Sequence, residues 1–133
     1  YAAAKALAQT KLAAVNALAA DPANNTVIVK STTELSAAHT EGKSALILGF
    51  QNALILGKDV GAVDSLYNSG ARVFALTHMG HNDFADSSRT LFDGDTGTRE
   101  PDAEHGGLSA LGKVAVAKIN ALGGIMDISQ LST

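Results

Sequence analysis

The stretch ARVFALTHMGHNDFADSS, Ala71 to Ser88, decides how the chain is read. Arg72 to Leu76 reads as a buried strand, with β-branched and aromatic residues and one charge at its edge. From His78 onward the character changes: two histidines, an asparagine and two aspartates fall within nine residues. An apolar run that ends abruptly in a histidine is what a parallel strand looks like when its C-terminal end delivers a side chain to a site. In barrels of alternating strands and helices the active site lies on that face. The plainer reading is a polar loop after a core strand.

Towards the N-terminus, Ser69-Gly70 closes a helix expected over Val60–Asn68. Asp59 can cap it, and Val60, Val63, Leu66 and Tyr67 share one face. Ser44–Phe50 is a continuous apolar run, as in a strand covered on both faces, and Gln51-Asn52 stands directly at its end. Ser31 lies three residues before Glu34, a capping box that opens a short helix over Thr32–Thr40, ended by Gly42. Val27-Ile28-Val29 is a short strand. Residues 2–20, mostly alanine and leucine, read as a helix with a stripe of Leu7, Leu12, Val15 and Leu18, stopped by Asp21-Pro22. A chain that begins inside a helix, with no strand before it, leads us to expect further structure upstream. Asn24-Asn25-Thr26 matches a glycosylation acceptor, but a turn is the better reading.

Towards the C-terminus, Thr77–Gly107 is a long loop of the kind that is functional or disordered. Ser109 can cap a helix over Ala110–Leu122, with Leu111, Val114, Ala115, Ile119 and Leu122 inward and Gly123 closing it. Ile125–Ile128 is the last strand. The class is therefore α/β, with alternating strand–helix units, a parallel sheet and right-handed crossovers. Four strands make half of a (β/α)8 TIM-like barrel, which typically takes about 250 residues. Residues 1–133 are thus expected to be part of a single (β/α) barrel domain. An open doubly wound sheet is the alternative, but the Gly-rich phosphate loop after its first strand is absent.

Composition narrows the function. A formal charge of −3 gives no reason to expect nucleic acid or an anionic membrane as partner. The absence of cysteine excludes a disulfide framework, a thiolate metal site and a cysteine nucleophile, and it fits the cytosol and the periplasm equally. No apolar run approaches the roughly 20 residues of a membrane span. The alanine-rich start, with Lys5 and Lys11, reads as helix and not as a signal peptide.

Polar groups stand at three expected strand ends: Gln51, His78 and Gln130. Alone, each reads as a structural histidine or an ordinary loop amide. In a barrel they would converge on one mouth. Four blocks, in order, carry a resemblance: Gly49-Phe50-Gln51-Asn52-Ala53; Ala75-Leu76-Thr77-His78 with Asn82 and Ala85-Asp86-Ser87; His105-Gly106-Gly107-Leu108-Ser109; and Met126-Asp127-Ile128-Ser129-Gln130-Leu131-Ser132. From about Val27 to the last residue the chain resembles the membrane (renal-type) dipeptidase family. The resemblance implies a barrel of the metal-dependent hydrolase type that cleaves dipeptides at a binuclear zinc site. This chain would be its first-middle part, without the opening and closing strands. It also implies a periplasmic or secreted protein.

The resemblance further implies roles for single residues. Gln51 falls where family members have the glutamate that bridges two zinc ions. Gln130 falls where they have a histidine ligand. His78 falls on the histidine that polarises the substrate and steadies the tetrahedral intermediate. The spacing His81-x-Asp83 imitates a His-x-Asp ligand pair but lies in a different block, so it is not equated with the family's opening pair. An amide supplies no negative charge and is a weaker zinc ligand than carboxylate or imidazole. The two substitutions are therefore expected to empty one zinc position and weaken the other. Without two metals, the water between them is not acidified to hydroxide near neutral pH.

Two readings follow. In the first, a dipeptidase-family enzyme with a modified site hydrolyses a dipeptide or related small amide. His78 is then the catalytic residue that donates to the oxyanion, and Gln51, Asn82 and Gln130 bind substrate. A single metal would remain if missing strands supply its ligands, with His81, Asp83, Asp86 and His105 as further candidates. In the second, the barrel is a pseudoenzyme that binds a peptide-like small molecule without hydrolysing it, for example in the maturation of a peptide natural product such as a siderophore. The expected partner is a peptide-like small molecule in either case, and a homodimer stays open. A third, blander reading is a fragment whose polar ends do nothing alone and whose sheet edges are open.

Overall fold

The computed structural model describes residues 1–133. Its elements are α1 (Ala2–Ala20), β1 (Thr26–Ile28), α2 (Thr32–Thr40), β2 (Ser44–Leu46), β3 (Leu48–Phe50), α3 (Ala62–Asn68), β4 (Ala71–Ala75), β5 (Phe92–Asp93), β6 (Thr98–Arg99), α4 (Ala110–Ala121) and β7 (Ile125–Asp127). Short 3-10 turns stand at Pro22–Asn24 and Ala53–Leu56. β1 pairs with β2, and β4 lies between β3 and β7; every one of these pairings is parallel. Strand–helix–strand units bring sequential strands together in this way.

The core forms where β4 meets the helices and the loop that follows it. Phe74, Leu76, Phe84, Val63, Ala115 and Ile119 are fully buried, and Phe50 meets Phe74 edge-on with ring centroids 5.1 Å apart. Burying one such phenylalanine stabilises the fold by about 2–3 kcal/mol. At the start of β4, Arg72 donates to the carbonyls of Lys30, Tyr67 and Ala71 at 2.8–3.0 Å and stacks 3.9 Å from the Tyr67 ring centre. This one side chain ties β4 to the end of α3 and to the segment after β1.

Several expectations need correction. The run Ser44–Phe50 is not one strand: β2 pairs with β1, β3 pairs with β4, and Ile47 between them is exposed. The ladder is irregular at Leu48/Gly49, where a Cβ on Gly49 would stand 2.9 Å from that of Val73. α1 buries no residue fully, and Leu7 and Leu18 are 56% and 46% exposed. Its half-buried stripe is Ala4, Ala8, Leu12, Val15 and Ala19, turned from the expected one. Beneath it a cavity of about 660 Å³ runs along β3 and α3, with Gln51 and Asn52 among its lining residues. Asp59 does not cap α3. Its carboxylate takes the Gly61 amide and its carbonyl the Ala62 amide, so the helix starts at Ala62. Val114 points outward, 57% exposed, and Gly112 takes its place in the core-facing side of α4.

The loop Thr77–Gly107 is organised. Ala85 bridges to Leu108 and Ser87 to Leu131, while β5 and β6 form a small antiparallel hairpin. Glu100 closes the base of that hairpin. Its carboxylate accepts from the amides of Leu91 at 2.8 Å and His81 at 3.2 Å, and its own amide donates to the Leu91 carbonyl at 3.0 Å.

Candidate functional site

Because β3, β4 and β7 are parallel neighbours, their C-terminal ends share one end of the sheet. Gln51 follows Phe50 directly, and His78 and Gln130 each stand three residues beyond the last residue of β4 and β7. The three strand-end residues singled out in the sequence therefore lie at the same end. Gln51 is exposed, and His78 and Gln130 are half-buried.

Asn82 is buried beside the ends of β3 and β4. Its amide nitrogen donates to the carbonyl of Leu76 at 2.7 Å and to Oδ1 of Asn52 at 3.1 Å. Its Oδ1 accepts from the amides of Phe84 at 2.9 Å and Ala85 at 3.2 Å. Both donors and the acceptor are engaged inside the protein, so Asn82 holds the loop to the ends of β3 and β4.

Asp86 is the second anchor, wholly buried. Its carboxylate accepts from the amides of Glu104 at 3.0 Å, His105 at 2.9 Å and Gly107 at 3.0 Å. Gly106 and Gly107 have φ of +69° and +110°, the left-handed region that turns these amides inward at little cost in glycine. Burial works against the charged form. The amides of Gly107, His105 and Glu104, and lastly the nearby His81, outweigh it, and the pKa falls from 3.8 to about 2. His81 Nδ1 lies 3.5 Å from Asp86 but accepts from the Ser87 amide at 3.0 Å, while Nε2 meets the Pro101 carbonyl at 2.8 Å. That pattern puts the ring proton on Nε2, so His81 acts here as a hydrogen-bonded strut and the amides carry the stabilisation of Asp86.

The segment after Asp86 reaches both neighbouring strand ends. Ser87 Oγ donates to the His78 carbonyl at 2.5 Å and accepts from the Arg89 amide at 3.0 Å. The carbonyl of Gln130 accepts from the Ser88 amide at 2.9 Å and from Thr77 Oγ1 at 3.0 Å. The Ser132 amide donates to the Asp86 carbonyl at 3.0 Å. Gln130 adopts φ +65°, an uncommon conformation for a residue with a side chain. Its Oε1 is buried without a hydrogen-bond partner in this chain, as is Oγ of Ser132. Just before it, the hydroxyl and amide of Ser129 hold the Asp127 carboxyl below its usual range.

The further metal-ligand candidates from the sequence are committed elsewhere. Asp83 pairs with Lys58 at 3.1 Å, His105 Nε2 meets the Asn82 carbonyl at 2.9 Å, and His81 and Asp86 are engaged as above. No three histidine, aspartate or glutamate side chains gather where an ion could sit. Residues 1–133 by themselves do not make a metal centre. Their strand-end groups are two amides and an imidazole, suited to hydrogen bonding with a polar ligand.

A family profile described as Membrane dipeptidase (Peptidase family M19) matches residues 2–133. The chain is 33% identical over 94 residues to the dipeptidase aclJ of Aspergillus oryzae, covering 71% of this chain and 20% of that protein. It is 28% identical over 105 residues to the dipeptidase verJ of Clonostachys rogersoniana, covering 79% and 24%. The crystal structure of the probable dipeptidase PvdM from Pseudomonas aeruginosa superposes with a TM-score of 0.84 at 38% identity, over 94% of this chain and 30% of that one. A metallo peptidase from Rhodobacter sphaeroides, liganded with a phosphinate mimic of the dipeptide L-Ala-D-Ala, shares the fold with a TM-score of 0.68 at 23% identity, over 82% and 29%. The chain spans 20–24% of the length of the curated relatives it matches. The strand–helix units of residues 1–133 are part of a TIM-like barrel, and the doubly wound alternative falls away.

Proposed function

The chain belongs to the membrane dipeptidase family, and on that premise we propose that residues 1–133 form part of the mouth of a single (β/α) barrel domain that binds a peptide-like small molecule. The observation that carries this reading is the set of groups at the shared end of β3, β4 and β7: Gln51, His78 and Gln130. A glutamine amide offers donors and an acceptor, the same complement as a peptide group. The buried, unpartnered Oε1 of Gln130 is an acceptor in need of a donor, and a ligand N–H would satisfy it. The imidazole of His78 donates to a ligand carbonyl. Both amides are neutral, so Gln51 and Gln130 do not themselves supply the carboxylate charge that two neighbouring cations require.

The second reading is hydrolysis of a dipeptide or small amide at a site, zinc-dependent by family resemblance, whose metal ligands lie outside residues 1–133. The similarity to the dipeptidases aclJ and verJ favours it. A periplasmic or secreted location belongs to our proposal on family resemblance alone.

The test is zinc per chain on the full-length protein, measured by elemental analysis after equilibration with zinc and removal of loose ions. Titration with the phosphinate mimic of L-Ala-D-Ala accompanies it. Binding of the mimic with no tightly held zinc is the expected result. About two zincs per chain, with dipeptide turnover that His78→Ala abolishes, overturns the non-hydrolytic reading in favour of the second.

A further inference from the structure

We infer that Ser87 is a positioning residue for His78, and that the buried segment Asp86–Ser88 sets the directions of His78 and Gln130 together. The inference deepens the proposed function and rests on it for its binding readout. None of the 133 residues hydrogen-bonds the His78 ring, so within this chain the polar contact that places this side chain acts on its backbone. That backbone is held at the His78 carbonyl by Ser87 Oγ at 2.5 Å. Ser87 is 1% exposed, and its hydroxyl proton, an oxygen lone pair and its amide are all in use, on His78, Arg89 and His81. A hydroxyl committed in this way has one rotamer, and it points at the His78 carbonyl, three residues beyond the end of β4.

The neighbouring positions make the hold specific. The Ser88 amide fixes the carbonyl of Gln130, and the Asp86 carbonyl takes the amide of Ser132. Asp86 in turn is anchored by three amides of the Glu104–Gly107 segment. One three-residue segment thus spans the ends of two adjacent strands, β4 and β7, and is itself fastened from behind. Gln130 is kept in its left-handed conformation by the two bonds to its carbonyl. A ligand that touches both His78 and Gln130 meets two groups whose separation this segment determines.

The experiment uses the full-length protein with Ser87→Ala, Ser87→Thr, His78→Ala and the double variant Ser87→Ala/His78→Ala. The first readout needs no ligand: the ring resonances of His78 by NMR, with unfolding midpoints measured alongside. Ser87→Ala should shift the His78 ring resonances while those of His39, far away in α2, stay in place, and Ser87→Thr should restore them. The second readout is affinity for the phosphinate mimic of L-Ala-D-Ala. Ser87→Ala should weaken it about tenfold, as expected for one lost buried hydrogen bond, and should add little once His78 is alanine. Equal weakening in both backgrounds means a merely structural role and overturns the inference, as do His78 resonances that Ser87→Ala leaves unmoved. If wild type does not bind the mimic but the His78 resonances move and are restored, the proposed function fails while the positioning role stands. If Ser87→Ala does not fold, Ser87→Thr with displaced His78 resonances overturns the inference and wild-type resonances support it.

Discussion

Gly112→Ala should destabilise the protein even though alanine is the better helix former. Gly112 lies in the first turn of α4, whose cap is Ser109, and α4 is pressed there against the carbonyl of Phe84. A Cβ added at Gly112 would stand 2.0 Å from that oxygen and 3.0 Å from its carbon, against an ordinary contact of 3.4–4 Å. The obstacle is backbone, so no side-chain rotation relieves it. Either α4 or the Phe84 peptide must move by more than an ångström. Both movements break the bond from the Ser109 amide to Phe84 O, now 3.0 Å, and the one from Ser109 Oγ to Asp83 O, now 2.6 Å. Two lost hydrogen bonds cost about 2 kcal/mol together, and overpacking adds about 1–3 kcal/mol. The helix gains at most about 1 kcal/mol from the substitution. The net loss is about 2–4 kcal/mol. Urea unfolding of the full-length protein measures it, with Lys113→Ala, an exposed neighbour on the same helix, as control. A Gly112→Ala protein as stable as wild type, or more stable, would refute the packing of α4 on Phe84.

Other outcomes follow from the two anchors and the strand ends. Asp86 ionises at a lower pH in the folded chain than in the unfolded one, so its contribution is fully present above about pH 4 and is lost as the pH falls towards 2. Urea midpoints across that window should drop for wild type, and Asp86→Asn should be less stable at neutral pH with the difference closing at the acid end. Asn82→Asp replaces a donor of two hydrogen bonds with an oxygen facing Leu76 O and Asn52 Oδ1. It should cost about 2–4 kcal/mol, and a loss below about 1 kcal/mol in the same assay would remove Asn82 from the role of anchor. Gln51→Glu with Gln130→His should raise the zinc bound per chain by elemental analysis; no gain would mean that the pocket has been remodelled beyond those two positions.

The sequence announced several elements through local signals, and two of the three expected helix caps hold. Ser31 accepts from the Glu34 amide, and Ser109 from that of Gly112, as capping predicts. Asn25 turns the chain with φ +46°. What stayed hidden depends on partners far along the chain. Asp86 reads as one more loop carboxylate until the amides 18 to 21 residues later wrap it. The division of Ser44–Phe50 into two strands depends on which neighbour each half meets, and apolar runs do not encode that. Gly112 looks like a weakness in α4 until Phe84 is seen against it. The strand-end residues Gln51, His78 and Gln130 were legible because each lies within three residues of the end of a strand-forming run. Ser87 was not, because its importance lies in a contact to a main-chain carbonyl, and no side-chain pattern marks one.

The hairpin closed by Glu100 has a practical consequence. Residues 91–99 are exposed throughout, while the backbone at the hairpin's base is fixed by the paired bonds between Leu91 and Glu100. A loop clamped at its stem tolerates changes of length at its tip, since each doubling of a flexible loop costs only about 0.6 kcal/mol. The turn around Gly94 and Gly97 is therefore a natural insertion point for a fluorophore-bearing peptide or an affinity tag. A label there would sit on the same loop as His78 and leave the ends of β3, β4 and β7 unaltered.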